Sequence, residues 1–468
     1  MQGFDSRRAN ARERRQAGRA LRAQVPRSAH ADGGAEIGRD PIAILAAQAT
    51  SRVPEIIGIR HSRMALNPFA YLRGAAAVMA ADLKHTPATG PEVQLCGDAH
   101  IRNFGTFATP ERNLTFSIND FDETLPGPWE WDVKRFAASL YVVAQEHGFS
   151  PDIRRDLVVS AVAAYRQRLA HYAKLTNLEV WYDIKGIDDV LSHYTRGARA
   201  QVERDINKAS RREHARAIDK LTWTIEESDR MKPGDSAPGI VRFREDPPVQ
   251  VHFESAGLEM EEALHAVESY RESLLDDKRV LINRYQILDI ARRVVGVGSV
   301  GTKVWICLLQ GESGAAADRI VLQVKEAQAS ALEPYLRPSA IAHAGRRVVA
   351  GQRLTQGPTD SFLGWCSEPN NGRQYYVRQL WDRKGRSDLT TMNRRGLNEH
   401  ATLCAWALAR AHARSGDPAM IAGYLGRSDS FDRAVAVFAE HYAAVTRSDH
   451  AELLAAVADG RLPGSDVV

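Results

Sequence analysis

One β-rich segment set between two helical stretches limits the folds open to this 468-residue chain. Apolar residues recur three and four positions apart over much of residues 36–280 and again over 386–468, as on the buried face of a helix. Residues 281–385 are instead rich in β-branched residues and alternate between apolar and polar positions. The pattern predicts an α+β fold, with a small β-rich lobe and a mainly helical lobe on which the C-terminal helices pack.

Proline, glycine and residue periodicity predict the individual elements. Helices are expected from Asp40 to about Leu83, with breaks near Pro54 and Pro68, and on both sides of a turn at 148–151. In the first part of the chain, "EVQLC" and "LTFSI" are predicted strands. In the middle segment the predicted strands are "YQILDIARR", "TKVWICLLQG", "RIVLQVKEA", "RRVVAGQRL" and "YYVRQLWD", with a short helix at "QASALEPYL".

Composition excludes several classes of protein. Hydrophobic residues make up 44% and charged residues 26%, as in folded globular proteins, and a net charge of +4 does not indicate a nucleic-acid binder. The four cysteines include no C-x-x-C pair, which argues against a disulfide framework or a zinc site. No apolar run approaches the roughly 18–20 residues of a membrane span, and no apolar stretch follows the N-terminal arginines. We therefore expect no membrane partner and a cytoplasmic location.

Residues 1–35 are rich in arginine and poor in large hydrophobic residues. This leader could be an arm that binds nucleic acid or another polyanion. The interpretation that we favour is a solvated, partly disordered segment.

Two short acidic segments, "GDAHIRN" and "INDFD", carry the main functional signal. Asp98 and Asn103, in the first, are five positions apart, the spacing of the D-x-x-x-x-N catalytic loop of kinases. The strand "LTFSI" then leads to Asp120 and Asp122, at the place where kinases carry the metal-binding aspartate of D-F-G.

Phosphoryl transfer explains why these residue types occur together. An aspartate must accept or orient the proton of the attacking hydroxyl, and Asp98 is the candidate catalytic base. Mg²⁺ prefers oxygen ligands, which makes Asn103 and Asp120 the candidate metal ligands. Asp122 is expected to be a further ligand or to support the other two.

Two other interpretations of the acids remain. These Asp and Asn residues could merely form turns and cap helices. Alternatively, Asp98 and His100 could belong to a metallohydrolase, although the sequence has no second histidine at i+4 and no H-E-x-x-H motif.

The middle segment contains a G-x-G-x-x-G pattern, formed by Gly296, Gly298 and Gly301 with Ser299 between them. A dinucleotide-binding fold would require a helix after these glycines, whereas "TKVWICLLQG" predicts a strand. The segment is therefore expected to be a β-hairpin whose glycine-rich tip covers ATP phosphates with backbone N–H groups.

Lys325 lies within the apolar strand "VLQVKEA", where a buried ammonium group would need an anion. ATP phosphates would supply that anion, and Glu333 is the candidate partner of Lys325, with Glu326 as an alternative. The lysine could instead reach water from the edge of the sheet.

The order of these segments is the reverse of that in ordinary kinases, where the glycine loop precedes the catalytic loop. We interpret the reversal as a circular permutation of a two-lobed fold. This hypothesis requires Lys325 and Asp120 to lie within the span of one nucleotide triphosphate.

Longer runs resemble a bacterial family, the domain of unknown function 2252. They include "CGDAHIRNFG", "INDFDETLPGPWEWDVKRFAASL", "GVGSVGTKVW" and "LQVKEAQASALEPY", and the resemblance covers most of the chain, including "GRALRAQVPR" in the leader. More distantly, the acidic segments resemble those of aminoglycoside and choline phosphotransferases. That resemblance implies the same roles for Asp98, Asn103 and Asp120, and implies that Asp132 supports the catalytic loop. Cys96 stands where those enzymes usually have histidine.

The sequence therefore predicts an ATP- and Mg²⁺-dependent phosphotransferase that acts on a hydroxyl of a small molecule. The alternatives are a nucleotide-binding pseudokinase with a regulatory role and an enzyme that transfers AMP.

Overall fold

Helices and antiparallel strands build the fold, which is α+β as the sequence predicts. The computed structural model describes residues 9–34, 39–184, 186–195, 199–200, 203–204, 214–224, 241–252, 260–296, 300–368, 372–380, 385 and 387–465. Within these ranges no helix is both long and apolar enough to span a membrane.

Prolines begin several helices in the first part of the chain. Pro41, Pro54 and Pro68 each occupy the first turn of a helix, where a missing N–H costs no helical hydrogen bond. The predicted breaks near the last two are thus confirmed. Among the described residues up to residue 195, the helices are α1 (Ala11–Ala20), α2 (Pro41–Ala49), α3 (Pro54–Ala65), α4 (Pro68–Gly74), α5 (Ala76–Leu83), α6 (Trp129–Glu146), α7 (Pro151–Tyr172), α8 (Asn177–Tyr182) and α9 (Ile187–His193).

Further helices lie before, within and after the middle segment of the chain. They are α10 (His214–Leu221), α11 (Met260–Ser273), α12 (Asp276–Ile282), α13 (Ala344–Gln356), α14 (Arg394–Ser415), α15 (Pro418–Leu425) and α16 (Ser430–Ala458). The largest apolar cluster joins α6 and α7 to α14 and α16, so the C-terminal helices share one core with the first part of the chain.

Within the described parts of the chain, the strands form one large sheet and three two-stranded pairs. They are β1 (Glu92–Leu95), β2 (Phe104–Ala108), β3 (Leu114–Ile118), β4 (Leu125–Pro128), β5 (Thr222–Thr224), β6 (Val241–Phe243), β7 (Gln250–His252), β8 (Tyr285–Arg293), β9 (Val304–Gly311), β10 (Arg319–Ala327), β11 (Gly364–Ser367) and β12 (Gln374–Gln379). The large sheet has the order β11-β12-β10-β9-β8-β7, and the pairs are β1-β4, β2-β3 and β5-β6. In the large sheet Lys325 lies opposite Val304 on one side and Tyr376 on the other.

Two predicted elements of the middle segment are wrong. The segment "RRVVAGQRL" lies within α13. The buried positions of this helix include Val348, Gln352 and Gln356, four residues apart, as on one helical face. The segment "QASALEPYL" forms successive turns rather than a helix. Pro334 within it lacks the N–H that a helix would use.

Part of the arginine-rich leader, which the sequence predicts to be partly disordered, is folded. Helix α1 packs against α15, where a Cβ atom at Gly18 would overlap the carbonyl oxygen of Met420. Arg22 Nε donates to the Tyr424 carbonyl at 2.8 Å, and Arg22 Nη2 donates to that of Gly423 at 2.6 Å. Arg22 of the leader therefore binds the protein's own backbone.

Candidate functional site

The loop that follows β1 carries Asp98 and is held from α6. The Asp132 carboxylate accepts from the backbone N–H of Cys96 at 2.7 Å and of Gly97 at 3.0 Å. His412 Nε2 lies 3.2 Å from the same carboxylate. Asp132 thus holds the start of the loop, which agrees with the supporting role that the resemblance to phosphotransferases implies.

Gly97 allows the two acidic loops to approach each other. Its φ of +82° is unfavourable for other residues, and a Cβ atom there would overlap the backbone of Glu123 in the second loop. The neighbouring Cys96 thiol is buried, and burial raises the pKa of this thiol well above its usual value. A buried thiol in this state is not a nucleophile.

Asn103 connects the two acidic loops. Its Nδ2 donates to the Asp98 carbonyl at 3.1 Å and to the Asp120 carbonyl at 3.0 Å. Its own carbonyl accepts from the Asn119 N–H at 2.9 Å. The acids predicted to act together are therefore held in one hydrogen-bonded unit.

The Asp98 carboxylate lies beside Arg135 of α6. Arg135 donates to Asp98 Oδ1 from Nε at 2.9 Å and from Nη2 at 2.8 Å, and His100 Nε2 lies 3.6 Å from Oδ2. Burial raises the pKa of Asp98, although Arg135 opposes that rise. A raised pKa increases the basicity of a carboxylate, which suits a general base.

Lys325 of β10 reaches both aspartates of the second loop. Its Nζ is hydrogen-bonded to Asp122 Oδ2 and lies 3.6 Å from Asp120 Oδ1, and the lysine is 2% exposed. Tyr376 donates to Asp122 Oδ1 at 2.7 Å, and Arg378 Nη1 lies 4.0 Å from Asp120 Oδ1. The condition that the permutation hypothesis sets for Lys325 and Asp120 is thus met.

Arg347 of α13 fastens the second acidic loop to the end of β10. It donates to the carbonyl oxygens of Thr124 at 2.6 Å, Asp122 at 2.7 Å and Gln328 at 2.9 Å. The loop and the lysine strand are therefore connected by backbone contacts as well as by the charged pair.

Glu333 has a different role from the one predicted. Its carboxylate accepts from the Ser330 N–H at 3.3 Å, and Asp122 supplies the carboxylate bonded to Lys325. The alternative, Glu326, accepts from the Lys303 N–H at 2.8 Å. The turn that replaces the predicted helix explains the difference for Glu333, whose side chain binds within that turn.

The glycine-rich segment joins the antiparallel neighbours β8 and β9, as predicted for a hairpin. Gly296 and Gly301 have φ values of +69° and +95°. Gly298 and Ser299 lie outside the described residues. Arg63 Nη1 donates to the Gly296 carbonyl at 2.7 Å, and the Gly301 carbonyl accepts from the N–H of residue 53 at 2.7 Å. One end of the segment is thus bound to α3, and the other end is bound to the residue directly before α3.

One cavity brings the two acidic loops and the end of the glycine-rich segment together. Its acidic lining comes from both loops, and Gly296 lies at its border. The residues that line it include Gln48, Arg52, Arg60, Arg73, Asp98, His100, Asn103, Asp120, Asp122 and Glu123. Acids on one side of this cavity therefore share it with three arginines from the region of α2 to α4.

The family model that matches residues 52–456 is described as "Uncharacterized protein conserved in bacteria (DUF2252)". The chain belongs to the DUF2252 family. Neither the curated proteins nor the solved structures give a match. The DUF2252 match spans both acidic loops, the three arginines and Lys325, while the likeness to phosphotransferases stays a prediction.

Arg60 is a functional candidate that sequence reasoning about this DUF2252 chain missed. It is 1% exposed, and its Nη2 donates to the Gly74 carbonyl at 2.8 Å and to Gln48 Oε1 at 3.1 Å. Its Nε and Nη1 have no hydrogen-bond partner among the described residues, and burial lowers its pKa well below the usual value. In the sequence, Arg60 could have been recognised as a buried arginine because it follows the apolar residues of "EIIGIRHSRM".

The donor set of the cavity fits a magnesium ion. Asn103 Oδ1 is buried and has no hydrogen-bond partner within the described part of the chain, and Asp120 lines the same cavity. Three or more His, Cys, Asp or Glu residues do not cluster as a metal site anywhere in that part. One amide and one carboxylate oxygen suit Mg²⁺, which usually keeps waters and shares phosphate ligands.

Proposed function

We propose that this DUF2252 chain is a kinase-like phosphotransferase that transfers the γ-phosphoryl group of Mg-ATP to a hydroxyl of a small molecule. One observation carries the proposal. Lys325 and Asp122 are 203 positions apart in sequence, yet they bond beside Asp120 and the Asp98 loop. A buried lysine next to an acidic, metal-compatible cavity is the combination that phosphoryl transfer requires.

Each part of the cavity has a role in this proposal. Lys325 and Arg60 bind phosphate oxygens, because Arg60 is a buried cation that lines the cavity and the buried Lys325 contacts Asp120 and Asp122 of its lining. Asn103 and Asp120 would hold Mg²⁺, which neutralises charge on the phosphates when bound. Asp98 accepts the proton of the attacking hydroxyl, and its raised pKa favours that transfer.

The proposal includes a permuted, two-lobed, kinase-like arrangement. The acidic loops come from the helical part of the chain and the lysine from the six-stranded sheet, in the reverse of the usual order. This arrangement is supported by the contact of Lys325 with the second acidic loop and by the hairpin at the glycine-rich segment.

Calorimetric titration with Mg-AMP-PNP, a non-hydrolysable ATP analogue, tests nucleotide binding. Wild type should bind, and Lys325→Met and Asp120→Asn should bind at least about tenfold more weakly, since each loses a charged contact to the nucleotide or its metal. Lys278→Met and Asp156→Asn are matched controls at ion pairs on α12 and α7, and neither residue lines the cavity. Thermal unfolding of every variant, measured without nucleotide, establishes that each one is folded.

The same titration can contradict the proposal. If wild type binds neither ATP nor GTP with Mg²⁺ or Mn²⁺, the site is not a nucleotide site. If both cavity variants bind as tightly as wild type, the nucleotide lies elsewhere.

A nucleotide-binding module without turnover is the second candidate. The observation that favours it is the pair of hydrogen bonds from Arg135 to one oxygen of Asp98, which engages the candidate base. Incubation with doubly labelled ATP separates the cases. Label from the γ-phosphate on an acceptor indicates phosphoryl transfer, label from the adenosine on a target indicates AMP transfer, and neither label with tight binding indicates the module.

A further inference from the structure

A second, larger cavity opens beside the first. It shares Arg73 and Gly296 with the acidic cavity. Its lining includes Arg63 of α3, Arg102 of the Asp98 loop and Phe69 of α4. A molecule in this groove would therefore lie next to the loop that carries Asp98.

The groove is lined by three arginines and one carboxylate. Arg63 donates to the Gly296 carbonyl, and the Arg73 guanidinium lies 6.0 Å from the centre of the Phe69 ring. The carboxylate is that of Glu146, which accepts from the Phe69 N–H at 3.0 Å and whose pKa is raised by burial. The acid is thus engaged by the backbone, and the arginines dominate the charge of the groove.

Arg102 is the arginine with spare hydrogen-bonding capacity. Within the described chain its guanidinium makes no hydrogen bond and no ion pair, and its side chain is half-buried in the groove. It lies four residues after Asp98 and directly before Asn103. An unpaired guanidinium at this place presents a fork of donors that matches a phosphate or carboxylate group.

We infer that the acceptor is a small hydroxyl compound that carries a phosphate or carboxylate group, bound in the groove by Arg102 with Arg63 and Arg73. That the bound compound is the phosphoryl acceptor rests on the proposed function. The anion-binding site itself is inferred from the residues of the groove alone. Arg73 lines both cavities, so an anionic group held in the groove places the rest of the acceptor beside the cavity that contains Asp98. A cationic acceptor such as an amino sugar is disfavoured, because it would meet arginines.

The test compares probes of similar size and different charge. Glucose 6-phosphate, gluconate, glucose, glucosamine and inorganic phosphate are titrated against wild type, Arg102→Ala, Arg102→Lys and Arg337→Ala, with and without saturating Mg-AMP-PNP. Arg337 is the matched control, since it is 84% exposed and pairs with Glu92 outside the groove. Tm without ligand establishes that each variant is folded.

The anionic probes should bind wild type more tightly than glucose, and glucosamine should bind most weakly. Arg102→Ala should weaken the anionic probes about ten- to a hundredfold, as expected for loss of a hydrogen bond between charged groups. Arg102→Lys should recover part of that affinity, and Arg337→Ala should bind like wild type.

Three results would overturn the inference: no binding of any anionic probe, equal binding to wild type and Arg102→Ala, or a preference for glucosamine. Failure of the two proposals is distinguishable. Anion binding through Arg102 without any nucleotide binding would support the anion site in the groove and contradict the kinase function. Nucleotide binding without anion binding would support the kinase function and contradict the anion site.

Discussion

Asp132 affects the candidate site although it does not line the cavity. Its carboxylate holds two successive backbone N–H groups of the Asp98 loop and lies beside His412 in the core. Asp132 is 1% exposed, so no water replaces these bonds if the carboxylate is removed. A single buried side chain therefore sets the position of the candidate base.

We expect Asp132→Ala to lower the free energy of unfolding by about 3 kcal/mol, because it leaves buried N–H groups without an acceptor. Asp132→Asn should cost less, since the amide keeps one acceptor oxygen. Urea denaturation followed by circular dichroism measures both changes.

Asp156→Ala, a change at a largely exposed carboxylate on α7, is the control and should alter stability by less than about 0.5 kcal/mol. Equal stability of Asp132→Ala and wild type would show that the loop does not depend on this carboxylate.

The same scale shows what residue spacing can reveal. Asp98, Asn103 and Asp120 were found because a local pattern of five positions and a following strand places them on two adjacent loops. Arg60 and Arg102 were not identified as site residues, since nothing local shows that a helix and a loop face the same region. The partner of Lys325 was missed for a related reason. The acid Glu333 is nearer to Lys325 in sequence than Asp122, but the fold packs the second acidic loop against β10, so the distant acid makes the contact.

At the scale of elements, α13 supports the second acidic loop. Gly351 in the middle of this helix lies against Thr124, whose side chain a Cβ atom would overlap. Thr124 in turn donates to the Leu95 carbonyl at 2.6 Å and accepts from Gln94 Nε2 at 2.9 Å. The glycine allows the helix to approach the loop between β3 and β4 closely.

Gly351→Ala should destabilise the protein by about 1–3 kcal/mol, because the helix must move away from Thr124. It should also weaken Mg-AMP-PNP binding, since Asp120 and Asp122 lie on the displaced loop. Thermal unfolding and calorimetry measure the two effects.

Gly396→Ala on α14 is a matched control, because its Cβ would have no neighbour closer than 3.6 Å. That change should be neutral or stabilise the helix by up to about 1 kcal/mol. If Gly351→Ala and Gly396→Ala change stability equally, close packing against Thr124 does not explain why position 351 is a glycine.

Helix and strand predictions succeeded where the period was long and regular. The strands around Lys325 and the helices after residue 394 were expected from pattern alone. The segment "RRVVAGQRL" was predicted as a strand because its paired valines favour strands. In the folded protein it is helical, and its buried face includes an arginine and a glutamine. Side chains of that kind are buried only when distant carbonyl groups accept their bonds, and a local window does not contain those groups.

At the scale of the whole molecule, the leader joins the beginning of the described chain to its last helices. Gly18 lets α1 meet α15, and Arg14 Nη1 donates to Asp417 Oδ1 at 3.0 Å. Charge composition could not predict this packing, because an arginine that binds backbone carbonyls has the same sequence signature as a solvated one.

Gly18→Ala should reduce the free energy of unfolding by about 1–3 kcal/mol, since the added methyl would meet a backbone carbonyl that cannot rotate away. Arg19→Ala, on the exposed side of the same helix, should have little effect. Differential scanning calorimetry compares the two. Identical curves for Gly18→Ala and wild type would mean that α1 is not docked in solution.

The pairing of α1 with α15 also has a consequence for biosynthesis. Arg14 and Asp417 are 403 positions apart, so a ribosome that adds about 5–20 residues per second makes the second roughly 20 to 80 seconds after the first. During that interval the nascent chain carries a basic segment whose docking surface does not yet exist. The segment is then open to capture by other polyanions, including ribosomal RNA, until the C-terminal helices emerge and cover it.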